Sequence, residues 1–123
     1  MNIREVISYK NYFKDYLSSV PEEVQAKLFF VIAVLENQKQ VSTNYVKHIT
    51  GSEGIYEIRV SSKGNQYRVL FFLEASSLVE GGELIILGNG FLKKSDKDTQ
   101  KAVRLAEKIK LEYFEERDRK SVV

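Results

Sequence analysis

The stretch GIYEIRVSSKGNQYRVLFFL, residues 54–73, decides how the rest of the chain is arranged. Tyr56, Ile58 and Val60 alternate with Glu57 and Arg59, the period-two pattern of a strand with one buried face. Gly64-Asn65 offers the left-handed backbone of a short hairpin loop, and Gln66 to Leu73 continues as a second β-rich segment. With Gly64 and Asn65 as the loop, Lys63 faces Gln66, Ser61 faces Arg68 and Arg59 faces Leu70. Arg59 and Arg68 become diagonal neighbours on one side, while Tyr56, Ile58, Val60, Val69 and Phe71 point to the other. In this register no carboxylate, Glu57 included, is placed to neutralise both arginines. Adjacent guanidinium groups repel, which water tolerates and a phosphate exploits, because arginine grips phosphate through two parallel hydrogen bonds. Two solvated strand arginines whose stems cover apolar surface satisfy the same pattern.

Composition bounds what surrounds this hairpin. With 123 residues, 43% of them hydrophobic and 29% charged, the chain is expected to form one globular domain over residues 1–123. Without cysteine it can hold neither a disulfide nor a thiolate-ligated metal, which suits a reducing, cytoplasmic setting. The longest apolar run, Leu28 to Leu35, is far too short to span a membrane, and MNIREVISYK is too charged for a signal peptide. A single histidine, His48, rules out a two-histidine acid/base pair within the chain. The net charge of +2 is unevenly spread: residues 1–53 balance, whereas 84–110 carry seven positive charges against three negative. That is a modest footprint for a polyanion partner.

Residues Ile3 to Tyr9 alternate as a first strand, and a short helix is expected from Asn11 to Leu17. Pro21 followed by Glu22 and Glu23 starts a second helix, since proline suits the first helical position and carboxylates complement the helix dipole. Val24, Leu28, Val31, Ile32 and Leu35 carry that helix to about Gln38, with Phe29 and Phe30 widening its core stripe. Residues 41–54 read as a connector anchored by Tyr45, Val46 and Ile49. Beyond the hairpin, ASSLVEGGE reads as a polar loop with a Gly-Gly turn. ELIILGNGF, residues 83–91, makes a further strand whose Gly88 and Gly90 suggest a bend or a close approach. Ser95 is placed to cap a last helix, with Ala102, Val103, Ala106, Ile109 and Tyr113 on its apolar face. The end of the chain, from about residue 114, is expected to fray. The expected fold is α+β: an antiparallel-rich four-stranded sheet with helices against it, in the order β-α-α-β-β-β-α.

The chemistry-bearing residues gather around the last strand's end, FLKKSDK. A strand end running into a helix N-terminus suits an anion, because free backbone N–H groups lie beside lysines. If this strand neighbours the hairpin's second strand, Lys93 or Lys94 shares a groove with Arg68. No carboxylate cluster here has metal-ligand spacing, and His48 has no evident Ser or Asp partner for a nucleophilic triad. Lys101, Arg104, Lys108 and Lys110 read as the solvated side of the last helix.

The runs YVKHI, GIYEIRVSSKGNQYRVLFF and ILGNGFLKKSDKD together resemble the HigB-type, phage-related branch of the RelE/ParE toxin superfamily. The likeness extends over residues 5 to about 113. It implies a RelE-like fold and a cytoplasmic toxin of a type II toxin–antitoxin pair, held in check by a cognate HigA-like helix-turn-helix antitoxin. It further implies cleavage of mRNA in the ribosomal A site, with no metal or other cofactor, by attack of the ribose 2′-OH on the adjacent phosphate. Carried over by position, Arg68, Lys93 and Lys94 are the catalytic residues; Arg59, Lys63, Lys97 and Tyr113 bind RNA. The chain departs from the family pattern at Glu57, where some members carry a lysine implicated as general base. It departs also at Asn89, where histidine is frequent, and after Thr99, where a proline is missing. A gyrase-poisoning ParE-like toxin and a non-catalytic RNA- or partner-binding remnant of the same fold are the rival readings.

Overall fold

A computed structural model describes residues 3–75 and 83–121. The elements in chain order are β1 (Arg4–Ser8), α1 (Tyr12–Ser19), α2 (Glu22–Asn37), β2 (Val46–His48), β3 (Tyr56–Ser62), β4 (Asn65–Ala75), β5 (Glu83–Lys93) and α3 (Asp96–Ser121). The strands form one sheet in the order β1-β5-β4-β3-β2, with β1 parallel to β5 and the remaining pairs antiparallel. The class is α+β as expected, but the sheet has five strands rather than four. The extra one, β2, pairs with only Tyr56–Ile58 and lies in the segment expected to be a connector.

Helices cover both faces. Val24, Leu28, Val31 and Leu35 of α2 pack on Ile58, Val60, Val69 and Phe71. Across the sheet, Ala102, Ala106 and Ile109 of α3 pack on Leu70, Phe72 and Ile86. A strand covered on both faces needs an unbroken apolar run, and VLFFL in β4 provides it. Each fully buried side chain, such as Phe72 or Leu28, stabilises the fold by on the order of 1.5–3 kcal/mol.

The hairpin loop is Lys63-Gly64 rather than Gly64-Asn65. Both loop residues have positive φ, 51° and 80°, as a twist-matched two-residue turn requires. Ser62 therefore pairs with Asn65, and Arg59 stands directly opposite Arg68 instead of diagonal to it. Against expectation, Phe29 and Phe30 point to solvent from α2. Tyr45, expected to anchor the connector in the core, is also exposed. The helix expected to fray near residue 114 continues to Ser121. It is held there by Arg117, which pairs with Glu74 at 2.5 Å and lies 4.7 Å above the Phe114 ring. The Gly-Gly turn expected at residues 81–82 lies outside the described residues.

Strand β5 carries an irregularity where its register with β4 shifts between Val69 and Phe71. Gly90, just beyond, lies under the Tyr16 ring, and the Tyr16 hydroxyl donates to the Phe91 carbonyl at 3.1 Å. A Cβ at Gly90 would come within 2.2–2.4 Å of three atoms of that ring. Gly90→Ala is accordingly expected to lose about 1–3 kcal/mol by overpacking, measured by thermal or denaturant unfolding. An unchanged melting temperature would show that Tyr16 is free to move aside.

Candidate nucleic-acid interface

Residues directly opposed on neighbouring strands share a face of the sheet. On the face that α3 partly covers, Lys47, Glu57 and Leu70 form one row. Arg59, Arg68 and Phe91 form the next, and Ser61, Gln66 and Lys93 a third. Three cations that are distant in sequence, Arg59, Arg68 and Lys93, are thereby brought to one patch by strand pairing alone.

Glu57 lies between the two arginines. One of its oxygens is 3.6 Å from Arg59 Nε and the other 3.7 Å from Arg68 Nε. This corrects the expectation that no carboxylate reaches both. Arg59 sits two residues from Glu57 along β3, and with Arg68 directly across, Glu57 is diagonal to it. The two arginines differ in access: the Arg59 side chain is 35% exposed, whereas Arg68 as a whole is 3% exposed. Arg59 Nη1 donates to the Thr43 carbonyl at 3.3 Å. Arg68 donates through Nη1 to the Tyr67 carbonyl at 3.0 Å and through Nη2 to Gln66 Oε1 at 3.3 Å. Its Nε is buried and has no hydrogen-bond partner. Burial lowers the Arg68 pKa, an effect opposed by Glu57 and reinforced by Arg59, yet a guanidinium keeps its charge throughout the physiological range. The sheet thus holds a buried cation with unspent hydrogen-bonding capacity behind a solvent-facing one.

A cleft of about 520 Å³ opens beside this patch, between the Lys47–Ser52 segment and the first turns of α3. Glu57 and Lys93 both line it, with His48, Thr99, Gln100 and Arg104. His48, which has no evident triad partner in the sequence, and Arg104, expected on a solvated ridge, both stand on the cleft wall. Their separation along the chain hid this, and the one usable signal was that Lys47 and Glu57 flank a turn. Thr99 Oγ1 and Asn89 Oδ1 are the other buried side-chain atoms without a hydrogen-bond partner among the described residues.

The remaining residues expected at the site are more scattered. Lys94 and Lys97 are exposed at the β5–α3 junction, and Lys63 is exposed at the hairpin tip. The anion site expected from free N–H groups at that junction is already filled, because Asp98 accepts from Lys94 N at 2.8 Å and Ser95 N at 3.0 Å. Ser95 stands immediately before α3, at the position it was expected to take, and its backbone N–H donates to the Asp98 carboxylate in the first turn. Tyr113 is not brought to the arginines. Its hydroxyl donates to Glu74 and its ring packs against Phe72, so it contacts β4 six residues from Arg68, about 20 Å along the strand. Among the described residues there is no cluster of acidic or histidine side chains able to hold a metal ion, and no helix long and apolar enough to cross a membrane.

The molecule is thus an α+β protein whose five-stranded sheet gathers Arg59, Arg68 and Lys93 in one patch beside a cleft. It belongs to the family of phage-derived Gp49-like proteins, whose sequence profile matches residues 15–110. That family is part of the RelE-like toxin–antitoxin group and is associated with mRNA interferase-like proteins. The matched span takes in Glu57, Arg59, Arg68, Lys93, Lys94 and Lys97, and stops short of Tyr113. No curated protein and no solved structure shows significant similarity to the chain.

Proposed function

We propose that the protein is the toxin of a type II toxin–antitoxin pair of the HigB kind, an endoribonuclease that cuts mRNA on the ribosome. Its inhibitor would be a cognate helix-turn-helix antitoxin. The observation that carries the proposal is the adjacency of Arg59, Arg68 and Lys93 on one sheet face, with Glu57 between the arginines. The scissile phosphate meets Arg59 first. Arg68, directly opposite, releases its long 3.3 Å bond to Gln66 and turns that guanidinium edge to the phosphate. Glu57 takes the proton from the ribose O2′ as that oxygen bonds to phosphorus. The P–O5′ bond breaks, and Lys93, across the same cleft, gives a proton to the departing oxygen. The products are a 2′,3′-cyclic phosphate and a 5′-hydroxyl end. Charge building on the phosphoryl oxygens is held by the two guanidinium groups, positioned before the reaction begins.

A second reading, a binding module without catalysis, is favoured by the near-complete burial of Arg68. Brief expression followed by mapping of mRNA ends separates the two. Breaks confined to translated codons support the endonuclease. Intact messages with arrested replication and gyrase-linked DNA breaks point to a ParE-like poison, and intact messages with normal growth point to the binding module.

A further inference from the structure

Two small depressions meet at Arg59. One, of about 150 Å³, is walled by Asn44, Arg59, Val60, Ser61, Gln66 and Arg68. The other, of about 310 Å³, shares Asn44, Arg59, Val60 and Ser61 and continues over the sheet edge to Lys27, Phe30 and Tyr45. The path exists because β2 stops pairing at Ile58, which leaves the next part of β3 without a full strand beside it. At its far end Phe30 is 56% exposed and Tyr45 36% exposed, their rings 5.8 Å apart and nearly perpendicular. Exposed aromatic rings side by side are a mark of an interaction surface. Here they lie next to a lysine, whose Nζ donates to the Ser61 carbonyl at 2.6 Å, and in line with the arginine pair.

Building on the ribonuclease reading, we propose that Phe30 and Tyr45 form a stacking platform for one nucleobase of the single-stranded RNA, flanking the phosphate held by Arg59 and Arg68. Cations along a groove that ends on exposed rings are the combination by which proteins hold single-stranded nucleic acid, since every base has a π-face and every linkage a charge. Two guanidinium groups in line with exposed rings along one groove match the alternating charge and base of a nucleotide strand, which is why RNA is the better fit. Stacking contributes affinity without reading sequence, so the platform fixes where the strand lies rather than which codon is cut.

The test uses the full chain and a fluorescein-labelled RNA decamer with 2′-O-methyl groups, which cannot be cleaved. Phe30→Leu/Tyr45→Leu alters only exposed rings, and its circular dichroism and melting temperature should match the parent. Binding by fluorescence anisotropy is expected to weaken about tenfold. An abasic nucleotide walked along the decamer should reach one position at which parent and variant bind equally. In translation assays the variant should need more message for the same cleavage while keeping its maximal rate. Equal affinity of parent and variant, failure of the parent to bind the decamer, or no abasic position that equalises them would each overturn the platform. The ribonuclease reading falls separately, if the parent leaves translated mRNA uncut.

Discussion

Arg68→Ala is expected to lower the rate of mRNA cleavage by about a hundredfold or more, because it removes a preorganised donor to the charge that develops on phosphate. Arg59→Ala should cost less. Arg59 is solvent-facing and, in the proposed mechanism, positions the RNA backbone; such contacts affect binding more than the chemical step. Equal losses in the two variants would refute that ranking. Burial makes the Arg68 experiment double-edged: alanine there leaves Glu57 with one arginine instead of two in a largely buried place. Breaking a buried ion pair on one side destabilises a fold by about 3–5 kcal/mol, so unfolding must be measured beside activity. Arg68→Lys resolves the ambiguity by keeping a positive charge opposite Glu57 while losing the two-pronged donor geometry. A stable but inactive lysine variant supports a role for Arg68 in cleavage. A stable and fully active one would reduce Arg68 to a counter-charge.

Glu57→Gln should separate binding from chemistry in the opposite sense. The amide keeps the shape of the carboxylate but cannot accept the O2′ proton, so maximal cleavage should fall by about a hundred- to ten-thousandfold. The same change removes the one negative charge between Arg59 and Arg68, so RNA affinity should rise rather than fall. A variant that binds more tightly and cuts more slowly is the signature of a lost proton acceptor. If cleavage survives while affinity rises, Glu57 only tempers the charge of the arginines and the proton goes elsewhere. The cleft wall would then be the place to search, with His48 the first candidate on it.

The faces of the central hairpin were legible in the sequence, and its register was not. Assigning Gly64-Asn65 as the loop shifts the pairing by two residues, and a shift of two returns every side chain to its own side. Alternation therefore put Arg59 and Arg68 on one face and Tyr56, Ile58, Val60, Val69 and Phe71 on the other, as the structure has them. What the shift concealed was the role of Glu57, which depends on who stands opposite whom. The β2 strand escaped notice because three residues are too few to show a period. Phe29 and Phe30 were assigned to the core because a helix with apolar residues on most sides gives no direction, and only packing on the sheet decides which of them turn outward. The tail of α3 was expected to fray, yet Arg117 ties it to Glu74 on β4.

The parallel pairing of β1 with β5 joins chain segments far apart, with Arg4 beside Glu83 across 79 residues. Local pieces such as the β3–β4 hairpin can close early, whereas contacts of this separation form late because the intervening chain must first be confined. Lys93 ends the same strand that β1 awaits. A nascent chain thus cannot bring Arg59, Arg68 and Lys93 together on a closed sheet until most of it has been made.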